Sequence, residues 1–98
     1  MRLTRLTFTI ATLLFIGVQA ANAACYADYK AKQDDPLRLH YGVIKLPDGA
    51  CSSKSAAKGT IAKKISQDGW KLLSVMDLFD KDGLDKRKER AGTYYLKY

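Results

Sequence analysis

The chain is 98 residues long, with 17 Lys and Arg against 10 Asp and Glu, a formal net charge of +7 and 47% hydrophobic residues. That length holds one small domain, which excludes two-lobed cofactor enzymes and polytopic membrane proteins. An aromatic content of 10% beside that apolar fraction excludes a wholly disordered chain.

Residues 1–23 carry the pattern of a secretory signal peptide. Arg2 and Arg5 form a positive n-region. Residues 6–18 are apolar except for Thr7, Thr9, Thr12 and Gly17, and Ala21 and Ala23 stand three and one before a cut ahead of Ala24. The apolar run is shorter than the ~20 residues a spanning helix needs, and it ends in Ala and Asn rather than in basic residues. The expectation is a protein exported to the periplasm or secreted, with residues 24–98 as a single domain and no transmembrane segment in the mature chain. The leader removes Arg2 and Arg5, so two of the seven net charges go and +5 remains.

Both cysteines, Cys25 and Cys51, lie beyond the leader. Export places them where thiols oxidise, and a count of two allows one intrachain disulfide. It would close a loop of about 26 residues, worth roughly 3.5 kcal/mol by chain entropy, which matters to a core this small. The spacing is too wide for Cys-x-x-Cys redox chemistry, and one histidine supplies too few soft ligands for zinc. The other fate for Cys25 is lipidation, for which Asn22 stands where a lipoprotein signal carries a Leu-like residue.

A first strand is expected over residues 26–32, with Tyr26, Asp28 and Lys30 on one face and Ala27, Tyr29 and Ala31 on the other. A turn follows over residues 33–36, because Asp35-Pro36 resists helix. Residues 37–46 form a second strand in which Leu37, Leu39, Tyr41 and Val43 alternate with Arg38, His40 and Gly42. Ile44 and Leu46 slip the phase, so a bulge is expected at Gly42. Pro47-Asp48-Gly49 is a tight turn. Ser52 or Ser53 caps a helix reaching about Asp68, with Ala57, Ile61 and Ile65 as its apolar stripe and Gly69 closing it.

A third strand runs from Trp70 to about Leu78 or Phe79, followed by a turn over residues 80–83. The charged residues 84–90 form at most one helical turn, and residues 93–98 form a fourth strand with Tyr94, Leu96 and Tyr98 on one face. The expected fold class is α+β, in the order β-β-α-β-β. It consists of an antiparallel sheet of three to four strands under one helix, with the hairpin of the last two strands at its centre.

The run Gln67-Asp68-Gly69-Trp70-Lys71-Leu72, with Tyr94-Tyr95-Leu96-Lys97-Tyr98 closing the chain, resembles small bacterial domains of unknown function. In these a helix runs into Asp/Glu-Gly-Trp-x-Leu and a hairpin follows. It is also similar to short exported proteins of bacterial genomes left as hypothetical. That resemblance covers about half of the mature chain and implies a fold without an activity. Residues 39–43 and 55–70 also resemble the first half of the peptidoglycan-binding sporulation-related repeat domain, whose second helix is here reduced to residues 84–90.

Few residues carry chemistry. His40 has no nucleophile or acid beside it in the pattern and is expected on the exposed face of its strand. Asp80, Asp82, Gly83 and Glu89 partly fit a calcium loop, but Leu78 occupies the first ligand position and Lys86, Arg87 and Lys88 repel a cation. No catalytic residue, cofactor site or metal site is expected. The basic residues Lys54, Lys58, Lys64, Lys86, Arg87, Lys88 and Arg90 are candidate anion contacts, accompanied by six tyrosines. Export removes nucleic acid as a partner. The expected role is a non-enzymatic accessory or binding module of the cell envelope, meeting a protein or envelope component through a sheet face or edge. The alternative is a binder of anionic envelope polymer, such as peptidoglycan or lipid headgroups, through that basic patch.

Overall fold

Three strands and two helices follow one another along residues 24–98, which are the residues that the computed structural model describes. The expected leader over residues 1–23 lies outside them. The elements are β1 (Cys25–Gln33), β2 (Arg38–Leu46), α1 (Lys54–Ile65), β3 (Lys71–Phe79) and α2 (Asp85–Ala91), with short 3₁₀ turns between them. The sheet is antiparallel throughout, in the order β2-β1-β3. The fold class is α+β, as the sequence pattern indicates. The centre of the sheet is β1, however, and not a C-terminal hairpin.

One face of the sheet carries the main core. Ala27, Tyr29 and Ala31 of β1 are fully buried there, together with Ile44 and Leu46 of β2. Above them lies α1, whose Ala57, Ile61 and Ile65 are fully buried at a helical spacing of four. Each isoleucine contributes about 1.5–3 kcal/mol by leaving water. The helix begins where the Ser53 hydroxyl accepts from the Ala56 amide, and the chain leaves it through Gly69 at φ +84°. The Cys25–Cys51 disulfide is formed, with Cα atoms 6.1 Å apart, and ties the start of β1 to the turn before α1.

The phase of β2 is the reverse of the one expected. Pairing with β1 runs without a shift from Cys25↔Leu46 to Gln33↔Arg38, so no bulge forms at Gly42. His40, Gly42, Ile44 and Leu46 therefore share the core face, while Leu39 points to the other side. Strand phase is all-or-none, because a one-residue slip moves every side chain. Here Ile44 and Leu46 set it, helped by Tyr29. The Tyr29 ring lies across Gly42, where an added Cβ would meet its Cζ and hydroxyl at 2.5 Å. Glycine is needed there for an aromatic crossing, not for a kink.

In β3 the alternation breaks twice. Register shifts leave Met76 and Leu73 as extra residues opposite β1, so Ala31 faces Leu72, Tyr29 faces Val75 and Ala27 faces Leu78. These three pack against the core at a spacing of three, which no strict two-residue pattern yields.

The fourth strand does not form. After α2 the chain makes a 3₁₀ turn over Gly92–Tyr94, and its backbone pairs with β2 at an isolated parallel Val43↔Tyr95 bridge, with the Leu96 amide donating to the Val43 carbonyl (2.8 Å). Left-handed backbone at Gly92 (φ +56°) and Leu96 (φ +55°) interrupts extension on either side. Tyr94 instead turns over the edge of β2 onto His40, and the Tyr98 hydroxyl donates to Asp68 beyond α1 (2.7 Å). The charged stretch expected to form one turn is the seven-residue α2. Among the described residues, no helix is long and apolar enough to cross a membrane.

Candidate functional site

The face of the sheet opposite α1 divides into two halves. The half bearing Asp28 and Val43 is covered by α2, with Asp77 at its exposed margin. Asp28 is 3% exposed, and its carboxylate accepts from the Tyr41 hydroxyl (2.8 Å), the Arg87 Nε (3.0 Å) and the Asp77 amide (2.9 Å). Arg87 also donates to the Gly83 carbonyl (2.7 Å) and lies over the Phe79 ring at 3.9 Å. Burial raises the Asp28 pKa, but those donors and the guanidinium charge together hold it below the ordinary carboxylate value. The Tyr41 phenol is pushed up to about 12 by burial and by the bond it makes to Asp28. Val43 of β2 and Ala91 of α2 are buried as well.

Among the described residues, no element lies over the other half of the face. In register order it presents Lys30 between Tyr41 and Ser74, then Lys32 between Leu39 and Lys71, with the bulged Leu73 alongside. Leu39 is 65% exposed and Leu73 48% exposed. They border a shallow open depression of about 290 Å³ with Lys30 and Tyr41. Arg90 of α2 lies over the Tyr41 ring at 4.1 Å and marks where the cover ends. The strand positions facing this half carry three lysines and no carboxylate. Asp34, in the turn beyond, pairs with Lys32 at 3.4 Å.

Both sheet edges are blunted. The C-terminal tail bonds to β2, and β3 carries two bulges, a common way of making an edge unfit for strand addition. Of the two surfaces expected to meet a partner, a face or an edge, the open half-face is therefore the better formed.

His40 is not the exposed strand residue that its position in the pattern suggests. It is 8% exposed, stacked on Tyr94 at 3.7 Å between ring centres, and met edge-on by Trp70 at 4.2 Å. Its Nε2 and the Tyr29 hydroxyl share a hydrogen bond of 2.9 Å, while buried Nδ1 has no partner among the described residues. Burial, helped by the charge of Lys97, lowers its pKa to about 4, so the ring is neutral at pH 7. The same enclosure raises the pKa of Tyr29. Set among rings, His40 fastens the tail to the sheet.

The seven basic residues expected as anion contacts do not form one patch. Arg87 is committed to Asp28, Lys88 lies over Tyr95 and Arg90 over Tyr41. Lys54 and Lys58, on α1, border a groove with Ser55, Leu73, Ser74 and Val75. Lys64 sits apart, near Lys45, Pro47 and Tyr98, and Lys86 is an exposed residue of α2. Lys30, Lys32 and Lys71, absent from the expected set, surround the exposed leucines. Their i,i+2 spacing on β1 and the facing position on β3 were visible in the sequence, but only once strand phase is known.

None of the six tyrosines is an exposed platform: Tyr29 is buried and the other five are half-buried. In the acidic turn, Asp80 accepts from the Asp82 amide (2.9 Å) and caps a 3₁₀ turn, while Glu89 lies on α2. Among the described residues, no group of three or more His, Cys, Asp and Glu side chains could hold a metal ion. Comparison with protein-family models, with curated proteins and with solved structures finds no match to this chain.

Proposed function

We propose that this chain is an exported accessory protein of the bacterial cell envelope that acts by binding, not by catalysis, and that its contact surface is the open half of the second sheet face. The observation that carries this role is the pair Leu39 and Leu73, left 65% and 48% exposed beside a half-face that α2 seals. Exposed leucines on a sheet face are costly to solubility, and contiguous apolar surface of this kind marks interaction sites. The disulfide and the leader-like residues 1–23 support a place outside the cytosol. The family resemblance around Asp68-Gly69-Trp70 supports the same class of small exported domain.

The test is retention on the envelope fraction of the producing cell. Oxidised protein is expected to be retained, and the double variant Leu39→Ser/Leu73→Ser is expected to pass through while keeping its thermal unfolding transition. Equal retention of both proteins would remove this surface from consideration.

The second role is contact with an anionic envelope polymer along the groove flanked by Lys54 and Lys58, which opens beside Leu73. Retention lost in high salt and in Lys54→Gln/Lys58→Gln, but not in the leucine variant, would favour it.

A further inference from the structure

We propose, resting on the binding role just given, that the occupant of the open half-face is an anionic phospholipid bilayer: Leu39 and Leu73 enter its interfacial region while the surrounding lysines meet the headgroups. Three features of this face argue for a lipid surface rather than a folded partner or a glycan. The first is charge. Lys30, Lys32 and Lys71 stand on the strand positions of this half, and Arg90 borders it. Among the described residues the nearby carboxylates are engaged by cations: Asp34 pairs with Lys32 and Asp77 with Arg87.

The second feature is shape. The depression is shallow and its lining is mainly apolar, with Leu39, Leu73 and Ala31 among the lining residues. A bilayer interface requires no deep pocket; it takes an apolar wedge with long cationic side chains that extend sideways to the headgroups. The third feature is the state of the aromatic residues. Sugar rings are bound on exposed aromatic faces, yet Tyr41 is covered by Arg90 with its hydroxyl held by Asp28, Tyr94 is stacked on His40 and Tyr98 is bonded to Asp68. The surface that remains is leucine framed by lysine. Each lysine near an anionic surface contributes about five-fold in affinity at moderate ionic strength.

The experiment is co-sedimentation of the oxidised protein, expressed with its leader and recovered from outside the cytosol. The probes are vesicles of phosphatidylcholine alone and vesicles of phosphatidylcholine mixed with phosphatidylglycerol. The account expects binding to the mixed vesicles only. Leu39→Ser/Leu73→Ser should weaken binding more than about ten-fold, and Lys30→Gln/Lys32→Gln/Lys71→Gln on the order of a hundred-fold. Equal binding to both vesicle types, or binding that the leucine variant leaves intact, overturns the inference. Leucine-dependent retention on purified peptidoglycan or on an envelope protein, with no vesicle binding, overturns it too but leaves the half-face as the contact surface. Loss of retention on every envelope component overturns both. Unchanged unfolding of the two variants shows that these differences belong to the surface and not to the fold.

Discussion

The two faces of this sheet are closed by different physics. Beneath α1, ten buried residues from Ala27 to Trp70 make an apolar core, and the disulfide holds its end. Beneath α2 the centre is an ion pair, Asp28 with Arg87, held by a tyrosine hydroxyl and a backbone amide. An apolar core tolerates trimming in proportion to volume, whereas a buried charge without its partner is an all-or-none defect. A face closed by polar contacts can also stop partway along the sheet, since a charge network satisfies only the residues it reaches. The leucines beyond Arg90 are what that network leaves uncovered.

The largest effect is expected where the charge is orphaned. Arg87→Ala leaves the Asp28 carboxylate buried without its cation, and urea unfolding should show a loss of about 3–5 kcal/mol. Asp28→Asn/Arg87→Met removes both charges and should recover most of it. A double variant as unstable as the single one would show that α2 is held by something else. On the other face, Ile61→Ala should lose about 2–5 kcal/mol by cavity formation, with no rescue from any charge change.

The pH dependence separates the faces again. The fold holds His40 neutral, with a pKa lowered from 6.5 to about 4. Between those values the unfolded chain takes up the proton and the folded chain does not. Stability is therefore complete above pH 6.5 and falls by roughly 3 kcal/mol as pH drops toward 4. Asp28 acts in a lower window: its pKa is depressed below 3.8, so its contribution stands above that value and is lost as pH falls through the folded-state pKa. Unfolding measured across pH should lose the upper window in His40→Phe and the lower one in Asp28→Asn. A flat profile between pH 6.5 and 4 in the parent protein would place His40 in water.

The smallest stability effect belongs to the uncovered half. Leu39→Ser removes a side chain that packs on little, and its unfolding free energy should stay within about 0.5 kcal/mol of the parent. A loss of several kcal/mol would mean that Leu39 is part of a core.

Helix α1 was legible in its apolar stripe Ala57–Ile61–Ile65 and its closing Gly69, with the cap narrowed to Ser52 or Ser53, because these are local signals; its last turn, residues 66–68, is 3₁₀ rather than α. The faces of β1 and the cysteine pairing were legible too, from alternation and from count. The phase of β2 was not. Leu37, Leu39, Tyr41 and Val43 compete with Ile44 and Leu46, and the decision depends on Tyr29 crossing Gly42, a contact between strands. The burial of His40 follows from the same unseen choice, and so does the ring of lysines around Leu39. Helix α2 has no apolar stripe; it docks through Arg87 on a carboxylate 59 residues away in the chain, which no short-range pattern records. The last strand looked extended from Tyr94, Leu96 and Tyr98, yet the tyrosines are drawn to His40 and Asp68 instead.

Methyl-resolved NMR of the protein titrated with envelope fraction tests the division of the molecule most directly. Broadening and shifts confined to the methyls of Leu39 and Leu73, with those of Ile61 and Ile65 unmoved, are the result expected. Perturbation centred on the α1 side, with Leu39 and Leu73 silent, would contradict it.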